Sequence, residues 1–240
     1  MLRKLLKYDL LFGRNTFFVM SGLVLLLASL LPWVESLDLG VFGEILGVVA
    51  VLILLPVGII AVVLVIQLFA KNLFGAQGYL MHTLPVKART LLSSKLMTTF
   101  IWFNFMLVTG VIAVGLYRRD FNFLDFQASV DFWELVMLWL NINMVVLSMA
   151  LCVYVGIALA NSSFRGRRLG YAWGVGAMIL LQYVQNAVLN KVMYTIFSQE
   201  ISVQGGIIEL NWPIILVSAG FGVLYYLACL YLMKRRIHLS

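Results

Sequence analysis

An all-α, polytopic membrane protein with six transmembrane helices is the fold this sequence predicts. Of its 240 residues, 63% are hydrophobic and 11% charged, with a mean hydropathy of +1.02; a soluble domain carries about 25% charged residues. Six stretches contain no Asp, Glu, Lys or Arg: 15–34, 45–70, 96–117, 135–164, 169–190 and 210–233. Each reaches the ~20 residues that a helix needs to cross a bilayer. Period-two alternation is absent, which leaves helices as the way for the backbone to satisfy its polar groups in lipid.

Taken in order, residues 1–14 predict an amphipathic elbow helix along the inner surface. On a helical projection Arg3, Lys4, Lys7 and Arg14 fall within an arc of about 100°, with Leu2, Leu5, Leu6 and Phe12 facing away. Asp9 lands on the apolar side. Two roles are open to this segment: a polybasic anchor held by anionic lipid, or an elbow that transmits motion to the first span. The apolar run after it exceeds the ~7–15 residues of a signal peptide and no A-x-A site follows, so it reads as a retained first span.

The spans are expected at 15–34, 45–70, 97–117, 137–160, 170–190 and 213–233. Pro56 predicts a kink in the second. Trp33, Trp133 and Trp212 fall near outer ends, and Trp102 and Trp173 near inner ends, as interfacial aromatics do. The loops 118–134 and 191–212 are the outer connections; both read as interfacial caps, the second with enough apolar residues to dip back into the membrane. With no repeat and no low-complexity linker, residues 1–240 form a single membrane domain.

Charge sets the orientation. The net charge is +7, and fourteen of the seventeen cations collect on one side, in the N-terminal segment, around 71–95, at 165–168 and at 234–236. Nine of the ten acids lie across the membrane from them. The positive-inside rule places both termini in the cytoplasm. The basic excess is thereby explained as topology, without nucleic acid.

What the spans lack narrows the function. No Asp, Glu, Lys, Arg or His lies well inside any of them, whereas ion-coupled carriers usually need buried ionisable groups or broken helices near the midplane. His82 and His238 are the only histidines and belong to no metal-ligand spacing; no carboxylate pair is placed for acid–base chemistry. No P-loop sequence is present. The expectation is therefore a non-catalytic subunit with no metal and no bound cofactor. Cys152 and Cys229 lie within spans and read as packing residues.

Uncharged polar residues do occur in the spans. Gln182, Gln185, Asn186 and Asn190 share one side of the fifth, spread over about 140°; Asn141 and Asn143 mark the fourth and Asn104 the third. They are either interhelical hydrogen-bonding groups or a polar strip lining a cargo path. Gly170, Gly174, Ala172 and Gly176 offer small residues at i, i+4 for close helix packing.

One inner connection is unusual. Residues 74–95, FGAQGYLMHTLPVKARTLLSSK, are longer than a plain connector needs. Gly75 and Gly78 break the helix, Leu80 and Leu84 share a face at i, i+4, and Pro85 disfavours helix at Leu84. Lys87, Arg89 and Lys95 are expected to hold the boundary at the inner headgroups. The result is a stiff turn presenting a few apolar side chains.

The pattern Gly78, Leu80, Thr83, Leu84, Pro85, Val86, followed by Leu91, Leu92, Ser94 and Lys95, resembles the signature of type 2 ABC-exporter permeases, notably small six-span subunits of Gram-positive bacteria. The opening LLKYDL is similar to the start of many of them. Ala76 and Gln77 stand where relatives often carry an acidic pair. The resemblance implies a coupling helix at 74–95, with Gly75, Gly78, Tyr79, Leu80, Thr83, Leu84, Pro85, Lys87 and Arg89 meeting a separate P-loop ATPase that binds ATP and magnesium. Arg165, Arg167 and Arg168 would make a secondary contact or act as a simple positive-inside anchor. Asn104, Asn141, Asn143, Gln182, Gln185 and Asn186 are the candidate cargo path.

The expected function is export of an amphipathic or lipophilic cargo (a peptide, bacteriocin or drug-like molecule) across the bacterial cytoplasmic membrane. The expected partners are the ATPase, a second identical or related permease, and lipid. The alternative is a non-transporting immunity or scaffold protein; an intramembrane enzyme is left without catalytic groups.

Overall fold

In a computed structural model, the described residues are 2–36, 88–118, 132–163, 168–199, 207–237 and nine single positions between 49 and 67. They form an all-α bundle of five long helices: α1 (Leu2–Ser36), α2 (Ala88–Arg118), α3 (Phe132–Ser163), α4 (Arg168–Gln199) and α5 (Ile207–Ile237). All five contain a stretch long and apolar enough to cross a bilayer, which makes this a multi-pass membrane protein. No strand occurs among the described residues.

The helices run past the predicted limits of their spans. Residues 2–14 are continuous with the first predicted span, in one helix of 35 residues. Helix also covers 191–199 and 207–212 of the second predicted outer loop. The reason is physical: a loss of apolar character marks the edge of hydrocarbon, whereas backbone hydrogen bonding continues into the headgroup layer. The predicted second span, 45–70, lies largely outside the described residues. Val49, Leu52, Pro56, Ile59, Ile60, Val63, Leu64, Ile66 and Gln67 are described there, each with helical backbone.

Helix α3 sits at the centre, packed on α5, α4 and α2, while α1 lies against α2. Interhelical hydrogen bonds fix directions. Asp9 meets Ser94 and Ser21 meets Thr109, so α1 and α2 run parallel. Thr99 meets Tyr154 and Asn104 meets Asn143, so α3 runs antiparallel to α2.

Two apolar clusters hold the bundle. The larger joins Leu91 and Leu92 of α2 to Cys152, Tyr154, Val155 and Ala158 of α3 and to Tyr225, Cys229 and Leu230 of α5. Both cysteines are free and buried, as packing residues are. The smaller joins Phe17 and Met20 of α1 to Trp102 of α2, with the Phe17 and Trp102 rings stacked 4.4 Å apart. Trp102, expected at an interface, is therefore a core residue, only 8% exposed.

Lipid is as apolar as leucine, so helices in a membrane associate through close packing and polar contacts. The α3–α4 contact shows the first. A Cβ placed on Gly174 would lie 2.6 Å from the Gly156 carbonyl oxygen and 2.7 Å from the Ala160 Cβ. Only glycine allows this approach.

Candidate functional site

The N-terminal end of α2 directly follows the connector that carries the exporter-like motif, and there the bundle holds a buried polar network. Ser94, Lys95, Thr98 and Thr99 recur at i, i+1, i+4 and i+5, which places them together along α2. Opposite them α1 presents Asp9, 3% exposed. Lys95 Nζ donates to Asp9 Oδ1, and Ser94 Oγ donates to Asp9 Oδ2 at 2.8 Å, so both carboxylate oxygens are engaged.

The network continues inward. Thr98 Oγ1 donates to the Ser94 carbonyl at 2.9 Å, and Thr99 Oγ1 to the Lys95 carbonyl at 3.0 Å. With its hydrogen so used, Thr99 accepts from the Tyr154 hydroxyl of α3, 2.9 Å away. Ser93 Oγ lies 3.2 Å from the Tyr226 hydroxyl of α5. One turn and a half of α2 is thereby tied to α1, α3 and α5.

This placement corrects the expectation for Lys95. Instead of marking the headgroup boundary, its side chain is fully buried. An ammonium can leave water when a carboxylate neutralises it and a second donor satisfies the carboxylate's remaining oxygen. Asp9, the misfit on the apolar side of the first helix, is that carboxylate. The signal in the sequence was this lone acid among cations; the helical projection showed it but could not name its partner 86 positions away.

Of the residues expected to meet an ATPase, Gly75, Gly78, Tyr79, Leu80, Thr83, Leu84, Pro85 and Lys87 lie outside the described residues. Arg89 stands exposed on the first turn of α2. Arg165 and Arg167 are likewise outside them, and Arg168 opens the α4 backbone.

The candidate cargo-path residues divide. Asn104 Nδ2 donates to Asn143 Oδ1 at 2.7 Å, and Trp139 Nε1 donates to Asn104 Oδ1 at 2.8 Å. Asn143 Nδ2 turns back to the Trp139 carbonyl at 2.8 Å. Gln185 is buried and donates through Nε2 to Ser148 Oγ at 3.1 Å, joining α4 to α3. Asn141 is buried, Gln182 half-buried, and Asn186 exposed on the outer face of α4. The four polar residues of α4 thus do not act as one strip: Gln185 ties the bundle, and Asn186 and Asn190 face away from it.

Among the described residues no group of three His, Cys, Asp or Glu side chains is placed to hold a metal; His82 and His238 lie outside those residues. Trp102 Nε1, Gln185 Oε1 and Ser218 Oγ are buried polar atoms left without a partner. No family model, no curated protein and no solved structure matches the chain.

Proposed function

We propose that this chain is the membrane-embedded permease subunit of an ATP-driven ABC exporter in a bacterial cytoplasmic membrane. A separate P-loop ATPase docks on the 74–95 coupling segment, and the pair of permeases moves an amphipathic or lipophilic cargo outward. The chain itself holds neither ATP nor magnesium.

The observation that carries this reading is the buried Asp9–Lys95 joint at the point where the connector becomes α2. A displacement entering at Ala88 meets a section of helix bonded to α1, α3 and α5 within eleven residues, so it moves the bundle rather than bending one helix. A loosely held α2 would absorb the same displacement locally.

The parallel run of α1 and α2 supports the sixth span and the shared side of the termini. The chain leaves α1 at Ser36 and enters α2 at the end where α1 began, as one further crossing between them would require. Six crossings bring the two termini to one side.

The test is replacement of Leu80 and Leu84 by Asp, followed by co-purification of the ATPase and measurement of export. Loss of both is the expected result. Unchanged association and export sinks the coupling assignment.

A further inference from the structure

We infer that a single water molecule is bound between α1 and α2, accepting a hydrogen bond from Trp102 Nε1 and donating one to Thr98 Oγ1, at the point where Gly13 leaves α1 without a side chain. The site does not depend on what the chain carries or meets, and it extends the Asp9 network by a further turn along α2.

A small cavity lies between the two helices, lined chiefly by Phe12, Gly13 and Phe17 of α1 and by Thr98, Thr99 and Trp102 of α2. Its volume, about 10 Å³, is room for one water molecule. Trp102 is 8% exposed, and its Nε1 meets no acceptor among the described residues. The same nitrogen lies 3.3 Å from where a Cβ on Gly13 would stand, so the donor borders the space that the glycine leaves open. A buried indole without an acceptor and a glycine facing it thus have one explanation.

Chemistry selects the occupant. An indole nitrogen can only donate, and a buried donor calls for an acceptor. Thr98 stands one turn before Trp102 on the same face of α2 and is fully buried. Its hydrogen goes to the Ser94 carbonyl at 2.9 Å, which leaves its oxygen able to accept. A donor and an acceptor at one cavity are the two partners that a bound water requires. Thr99 is less available, because its hydroxyl already donates to the Lys95 carbonyl and accepts from Tyr154. A lipid methylene in the same place would leave the indole hydrogen unpaired. With the water in position the bonds run in series: Asp9 Oδ2 accepts from Ser94 Oγ, the Ser94 carbonyl from Thr98, Thr98 from the water, and the water from Trp102. Asp9 and Gly13 are i, i+4 on α1, and Ser94, Thr98 and Trp102 are i, i+4, i+8 on α2, so the two helices face each other along the whole series.

The experiment is nuclear magnetic resonance of the full chain in detergent micelles, with the tryptophan indoles labelled with nitrogen-15. The chain has six tryptophans, and Trp102→Phe identifies the signal of Trp102. Its indole proton is expected to show a cross-peak to water in the rotating frame, where direct contact and proton exchange have opposite signs. Gly13→Ala places a methyl group 3.3 Å from Nε1 and should weaken that contact peak several-fold, with the other five indole signals in place. Thr98→Val keeps the shape of the side chain and removes the acceptor, and should weaken the peak as well. Absence of a water contact at Trp102 overturns the site. A cross-peak to detergent or lipid protons in its place shows that an amphiphile holds the indole, and overturns it too. A contact peak undiminished in Gly13→Ala puts the water elsewhere, and one undiminished in Thr98→Val removes its second partner; either result overturns the assignment. If Gly13→Ala disturbs all the indole signals, Thr98→Val alone decides.

Discussion

Lys95 and Asp9 form an ion pair between α2 and α1 in which neither side chain reaches solvent, and Ser94 occupies the second carboxylate oxygen. Removing one partner leaves a buried charge uncompensated, at a cost of about 3–5 kcal/mol. Asp9→Asn and Lys95→Met are each expected to lower the melting temperature of the detergent-purified chain sharply. Replacing both together, as Asp9→Leu with Lys95→Met, restores most of the loss, because no stranded charge remains. A single Asp9→Asn variant that melts like the parent would show that the pair is solvated.

Two glycines two residues apart on α4 give opposite expectations. At Gly174 even alanine drives a Cβ into the Gly156 carbonyl and the Ala160 methyl, so α3 and α4 must separate; overpacking of this kind costs about 1–3 kcal/mol. At Gly176 a Cβ meets open space, and alanine gains up to about 1 kcal/mol of helix propensity. Thermal unfolding of the two alanine variants in detergent checks the contrast. Equal effects would place the α3–α4 contact on a different face.

Much of the bundle was legible in the sequence because hydrocarbon imposes one demand, and runs such as 135–164 and 210–233 answer it without ambiguity. The helix ends were less so: at residues 191–199 polar side chains suggest a loop while the backbone stays helical. Asp9 and Lys95 show the harder limit. Each looks like a boundary residue beside its own apolar run, and only the lateral placement of α1 on α2 turns two boundary charges into one neutral interior pair. The glycines of α4 pose the same problem at short range, since Gly174 and Gly176 belong to equivalent small-residue pairs and only packing tells them apart. The polar strip was divided for a related reason: Gln185 and Asn186 are neighbours in sequence but 100° apart on a helix, enough to send one into the bundle and the other out of it.

The Asn104–Asn143 pair between α2 and α3 separates a structural amide from a cargo contact. Beyond the bond between them, Asn104 is held by the Phe100 carbonyl and Trp139 Nε1, and Asn143 by the Trp139 carbonyl. Interhelical hydrogen bonds in membranes contribute about 0.6 kcal/mol on average and up to about 1.7, so the coupling energy from a double-mutant cycle with leucine should fall in that range. Asn104→Leu is expected to cost more than Asn143→Leu, because it also strips the Trp139 indole of its acceptor, and Trp139 is 42% exposed on a membrane-spanning helix where lipid tails offer no replacement. Unfolding of the two single variants and the double variant in detergent measures both quantities. Additive losses would remove the pair from the bundle's polar framework, and altered export with unchanged melting would assign these amides to the cargo instead.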